Sequence, residues 1–107
     1  MTDCRCSQVG SRFDEAYAAE KLASYRTHGP DPSTRALLDA ISVADVRGKT
    51  LLDIGGGVGA VQHELLRRGL ESVQEVEASA AYAAACRAEA GRQGHGDRIV
   101  HLSGDFG

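Results

Sequence analysis

Three carboxylates and one run of glycines are the residues of this sequence whose types and spacing could do chemistry. In LLDIGGGVGA, residues 51–60, Gly55, Gly56, Gly57 and Gly59 sit behind a short apolar run that carries Asp53. Glycine loses more conformational freedom on folding than any other residue, so four together argue for a tight turn and a close approach by something else. Strand, glycine-rich turn and helix is the arrangement that offers free N–H groups at a helix start to a ligand. Glu77 closes SVQEVE, 18 residues after Gly59, and Asp105 follows RIVHL. Each of the three acids stands near the carboxyl end of a predicted strand, the edge where open parallel sheets bind ligands. A carboxylate at the Glu77 position is placed to accept from two ribose hydroxyls. Each acid also has a plainer reading: Asp53 as a loop brace, Glu77 as a helix N-cap, Asp105 as a turn residue. Their convergence beside this loop favours a nucleoside site.

Charge sign bears on which nucleoside. Gly55-x-Gly57-x-x-Ala60 satisfies the dinucleotide pattern G-x-G-x-x-G/A, with Glu77 as its ribose acid. A dinucleotide would bring a doubly negative pyrophosphate close to Asp53, an unfavourable meeting. A ligand with cationic groups would be attracted by the same aspartate.

The elements that must position these residues follow from periodicity. RFDEAYAAEKLASYRT predicts a helix from Arg12 to about Thr27, after a polar, mobile stretch over 1–11. His28-Gly29-Pro30-Asp31-Pro32 is a stop and turn, and Asp31 or Ser33 can cap a second helix with Leu37, Leu38 and Ile41 on its buried side. Arg47-Gly48-Lys49 reads as a turn, and Thr50 to Ile54 as a buried strand. Val58 to Arg68 predicts a helix burying Val61, Leu65 and Leu66, stopped by Gly69. Ser72 to Glu77 is a second strand, Ser79 begins an alanine-rich helix ending near Gly91, and RIVHL is a third strand. Strands separated by helices imply parallel βαβ units, so the fold class is α/β: a Rossmann-like parallel sheet with flanking helices. Two N-terminal helices precede it. The division is 1–48 for tail and helices and 49–107 for a partial nucleotide-binding domain, truncated after the third strand.

Totals limit the remaining functions. A chain of 107 residues is one small domain or part of one. A formal charge of −3 argues against a general nucleic-acid or anionic-membrane surface. No apolar run reaches membrane-spanning length, and MTDCRCSQVG lacks the apolar stretch of a secretory signal. Cys4, Cys6 and Cys86 make no disulfide framework, and a reducing cytoplasm is the simplest setting. Cys4-x-Cys6 could offer two thiolates to a metal with His28 or His101, but free thiols in a tail are the preferred reading and no metal is assigned.

Asp53-x-Gly55-x-Gly57-x-Gly59 after an apolar strand resembles motif I of the class I S-adenosylmethionine-dependent methyltransferases. Val76-Glu77-Ala78-Ser79 resembles their second-strand motif, and Gly104-Asp105-Phe106 their motif after strand three. The resemblance runs in order from Thr50 to Phe106, and less specifically through Tyr25-Arg26-Thr27-His28-Gly29 in the helical lead-in. It implies S-adenosylmethionine as cofactor. Gly55, Gly56, Gly57 and Gly59 would lie along its methionine and ribose, with Asp53 orienting the loop and the amino group. Glu77 would hold the ribose hydroxyls, Ala78 would pack on the adenine, Asp105 would accept from the adenine amino group, and Phe106 would lie against the ring.

In that family the sheet has seven strands with strand one in the middle, so the first strand here would present an open edge. Self-association, an unstable chain and a fragment of a longer protein are the three outcomes, and the ending GDFG, which cuts a motif, favours the fragment. The complete form is expected to methylate a small molecule, with no nucleic-acid or membrane partner. No catalytic residue is assigned. His28, Tyr17 and Tyr25 are candidates for a base, with surface or packing roles preferred. His63 is expected to face solvent, and His95 and His101 give no signal. The competing readings are an NAD(P)-binding oxidoreductase segment and a non-catalytic nucleoside-binding or interaction module.

Overall fold

Short apolar runs alternate with helix-length segments, and the chain folds accordingly. The computed structural model describes residues 4–103, with side chains described from 14 to 102. Helices α1 (Cys4–His28), α2 (Pro32–Ala40) and α3 (Val43–Val46) precede β1 (Thr50–Ile54), α4 (Ala60–Arg67), β2 (Ser72–Glu77), α5 (Ala80–Gln93), a single 3-10 turn (Gly96–Arg98) and β3 (Ile99–Ser103). The three strands are parallel in the order β1-β2-β3. This is the expected α/β architecture, with three parallel strands among the described residues.

Register sorts the side chains into rungs. Leu51, Val73 and Ile99 align across the strands, and Asp53, Glu75 and His101 align two residues further on, on the same face. Leu65 and Leu66 of α4 and Ala90 of α5 cover the apolar rung, joined by Leu38, Val46 and Leu70. Each such aliphatic side chain removed from water contributes roughly 1.5–3 kcal/mol. The opposite face carries no helix among the described residues. There Leu52, Ile54, Val100 and Leu102 remain 58, 56, 53 and 45% exposed. β1 has the open edge expected of it, but the expectation of a buried first strand is corrected: one of its faces is open as well, because both βαβ connections return on the same side.

Helix ends follow their caps. Asp31 accepts from Thr34 N–H at 2.8 Å to start α2, and Ser79 accepts from Tyr82 N–H at 3.3 Å to start α5. Three boundaries differ from expectation. α1 begins at Cys4 rather than Arg12, since no proline interrupts the stretch and Gly10 alone does not end a helix. α5 runs past Gly91 to Gly94, which takes φ +83°. α3 is an extra turn, built by a capping box in which Ser42 and Asp45 satisfy each other's backbone N–H. Leu37, expected inside, is half exposed, because α2 turns Leu38 toward α4. Arg68 then reaches back to the Leu38 and Ile41 carbonyls at the end of α2. Among the described residues no helix is long and apolar enough to cross a membrane.

Candidate cofactor site

The turn from β1 into α4 must reverse direction within five residues and begin a helix at once. Gly59 is the N-cap of α4 with φ +87°, a conformation L residues rarely adopt. A Cβ there would stand 2.6 Å from Cys86 Sγ and 3.0 Å from His63 Nε2. At Gly56 a Cβ would overlap the Asp53 carboxylate. Asp53 is thus packed directly beneath the loop, and its Oδ2 accepts from Gln62 Nε2 at 2.8 Å.

Glu77 closes the arrangement from β2. Its Oε1 accepts from Gly57 N–H at 3.1 Å and its Oε2 from Ser79 N–H at 3.2 Å. One carboxylate ties the glycine loop to the start of α5 while remaining half-buried at the rim of a cavity. That cavity, of about 620 Å³, is bounded by Gly55, Gly56 and Gly57 on one side and by Glu77, Ala78 and Tyr82 on another. Asp14 and Lys21 of α1, with Asp31 and Thr34, form its far wall. Three carboxylates against one ammonium give the cavity a negative balance. The Thr34 N–H beside Asp31 holds that carboxyl below the usual range.

The residues singled out from sequence divide accordingly. Gly55, Gly56, Gly57, Glu77 and Ala78 share the cavity. Asp53 and Gly59 lie behind its wall as packing and hydrogen-bonding supports of the loop. Asp105 and Phe106 lie outside the described residues, as do the side chains of Cys4 and Cys6. None of the three candidate bases lines the cavity: Tyr17 and His28 are exposed, and Tyr25 is buried.

What spacing did not reveal is a polar layer beneath the loop. His63 is fully buried, contrary to its expected solvent-facing position. Its ring stacks between Tyr25 of α1 and His95 after α5, at centroid distances of 5.8 and 5.2 Å. Val58 O can only accept, so His63 Nε2 carries the proton and donates to it at 2.9 Å. His63 Nδ1 is then bare and accepts from His95 Nε2–H, also at 2.9 Å. Burial pushes the His63 pKa down to about 4 and lowers that of His95. Cys86 is buried beside Gln62 and Glu75, and burial pushes its thiol far above the range in which it could act as a nucleophile. Glu75, 1% exposed, has its pKa raised by burial, with His101 Nδ1 at 2.5 Å from Oε2. A lone histidine on α4 gave no sign of this, since its burial depends on α1 and α5 packing over it.

A glycine turn, an acid at the end of β2 and a cleft thus lie together at the carboxyl edge of the sheet. No family model and no curated protein sequence matches the chain. Solved structures do. A Methanococcus maripaludis protein described as a candidate S-adenosyl-L-methionine-dependent methyltransferase superposes with a TM-score of 0.69 at 22% identity, over 87% of this chain and 42% of its own. This chain has the class I methyltransferase fold. The C-terminal domain of precorrin-6Y C5,15-methyltransferase from Rhodobacter capsulatus matches with a TM-score of 0.60 at 28% identity, over 70% of this chain and 39% of that one. An S-adenosylmethionine-dependent methyltransferase from Thiobacillus denitrificans, solved with S-adenosyl-L-homocysteine, gives 0.58 at 20% identity, over 77% and 34%. The chain therefore spans 42% or less of the length of each of these methyltransferases.

Proposed function

We propose that residues 1–107 are the cofactor-binding portion of an S-adenosylmethionine-dependent methyltransferase. The observation that carries the proposal is Glu77, whose carboxylate bridges Gly57 and Ser79 at the rim of a cleft with negative balance. Each of its oxygens spends one acceptor position on backbone and keeps another for a ribose hydroxyl. The cleft suits a sulfonium and an ammonium group better than a pyrophosphate, which weakens the NAD(P) reading. Asp53 acts here through the loop it supports. Asp105 and Phe106 retain the adenine-facing roles that the family resemblance implies.

A whole protein of this kind would transfer a methyl group to a small molecule in the cytoplasm. Methyl transfer from a sulfonium asks mainly for alignment of nucleophile and methyl group and for exclusion of water, so positioning is this portion's contribution. The open edge of β1 and the exposed Leu52, Ile54, Val100 and Leu102 support a further layer there, from the remainder of a longer chain or from a second copy.

Calorimetric titration of the folded chain with S-adenosylmethionine, S-adenosylhomocysteine and NAD tests the cofactor. Binding of the first two without the third is the expected result. Binding of NAD alone would overturn it.

A further inference from the structure

A second cavity, of about 310 Å³, lies behind the turn that follows α1, away from the glycine loop. Arg26, Arg35, Arg67 and Arg92 line it together with Tyr25 and Gln93. Arginine in the last turn of a helix also complements the helix dipole, and Arg26, Arg67 and Arg92 hold such positions. Arg35 lies inside α2 and needs another explanation.

The guanidiniums are held by one edge and free along the other. Glu89, whose side chain is fully buried, accepts from Arg26 Nε at 2.7 Å and from Arg92 Nε and Nη2 at 2.8 and 2.5 Å. Arg67 bonds Glu64 through Nη2 alone, and Arg35 reaches only Pro30 O, at 3.4 Å. A guanidinium carries five N–H donors, so each of the four keeps several unspent. Four guanidiniums against the carboxylates of Glu64 and Glu89 leave a local excess of two positive charges, in a chain whose formal charge is −3. Gln93 Nε2 is committed to Glu89 and to Tyr25 Oη, while its Oε1 is buried without a partner. The cavity thus offers cationic forks to an oxyanion.

We propose that this cavity binds a phosphoryl group, as the free ion or at the end of a small monoester. Planar forks fit tetrahedral phosphoryl oxygens in pairs, an arrangement lysine could not reproduce. The site is separate from the cofactor cleft and does not depend on how that cleft is read.

The test is calorimetry of the whole chain with inorganic phosphate and with glycerol 3-phosphate, at constant ionic strength set with chloride. Saturable binding of both is expected, and the tighter of the two identifies the source. Arg35→Gln, which leaves the Glu89 network intact, should weaken both by about fivefold or more through a lost charge-assisted fork. Binding of S-adenosylhomocysteine should be unchanged in the same variant. No heat beyond that of chloride, or binding indifferent to Arg35→Gln, would overturn the proposal.

Discussion

His63 Nδ1 accepts a hydrogen bond from His95 Nε2–H at 2.9 Å while its Nε2–H donates to Val58 O at the same distance. The last carbonyl before the helix cap is therefore tied through two neutral imidazoles to the end of α5. This arrangement requires that neither ring be charged: burial, His95 and Arg67 oppose protonation of His63, against the Val58 carbonyl and Glu89, which favour it.

The pair makes stability depend on pH in a definite direction. The His63 pKa is about 4 in the fold against 6.5 for a free histidine, so the unfolded chain binds more protons between those values. Its contribution is complete above pH 6.5 and is lost as pH falls toward 4, amounting to about 3 kcal/mol. Urea unfolding at a series of pH values should show this slope, and His63→Gln should flatten it. An equal slope in both proteins would remove His63 as its source.

Gly59→Ala should destabilise the chain by at least about 2 kcal/mol, combining a positive φ with a collision against Cys86 Sγ. Adding Cys86→Ala should recover the collision and leave about 1 kcal/mol of backbone cost. Denaturant midpoints of the single and double variants measure both parts. Independent, additive effects would contradict the close approach.

Glu77→Ala should lower affinity for S-adenosylhomocysteine by at least about 1.5 kcal/mol, because charge-assisted hydrogen bonds to ribose are lost and Gly57 N–H is released. Calorimetry on the variant checks this. Unchanged affinity would leave Glu77 as a brace for the loop and nothing more.

Glu89→Ala should loosen α1 from α5 by about 2 kcal/mol, since Arg26 is the ionic link between them. Faster amide hydrogen exchange in α1, with the strands unchanged, is the expected signature. Uniform exchange throughout would show that α1 is held by apolar contact instead.

The sheet and the glycine turn were legible because glycines and β-branched runs impose local geometry that few alternatives satisfy. Ser79 announced α5, and the distance from Gly59 to Glu77 is that of one helix and one strand. The faces were less legible. LLDI reads as a buried strand by composition, yet Leu52 and Ile54 are exposed because burial depends on which side the crossovers return. His63 was misread for a related reason: its neighbours in sequence are polar, while its neighbours in space, Tyr25 and His95, are 38 and 32 positions away. Polar layers of this kind are specified by partners, and partners are fixed only by the fold.

The turn from Gly29 to Arg35 has a further consequence. Asp31 and Thr34 face one cavity, while Pro30 and Arg35 face the other, so a single short segment is the party wall of both. An occupant whose contacts depend on where that wall stands therefore biases the wall met by an occupant of the other cavity. Thermodynamic linkage makes that influence mutual: whatever factor the first ligand applies to the second, the second returns to the first.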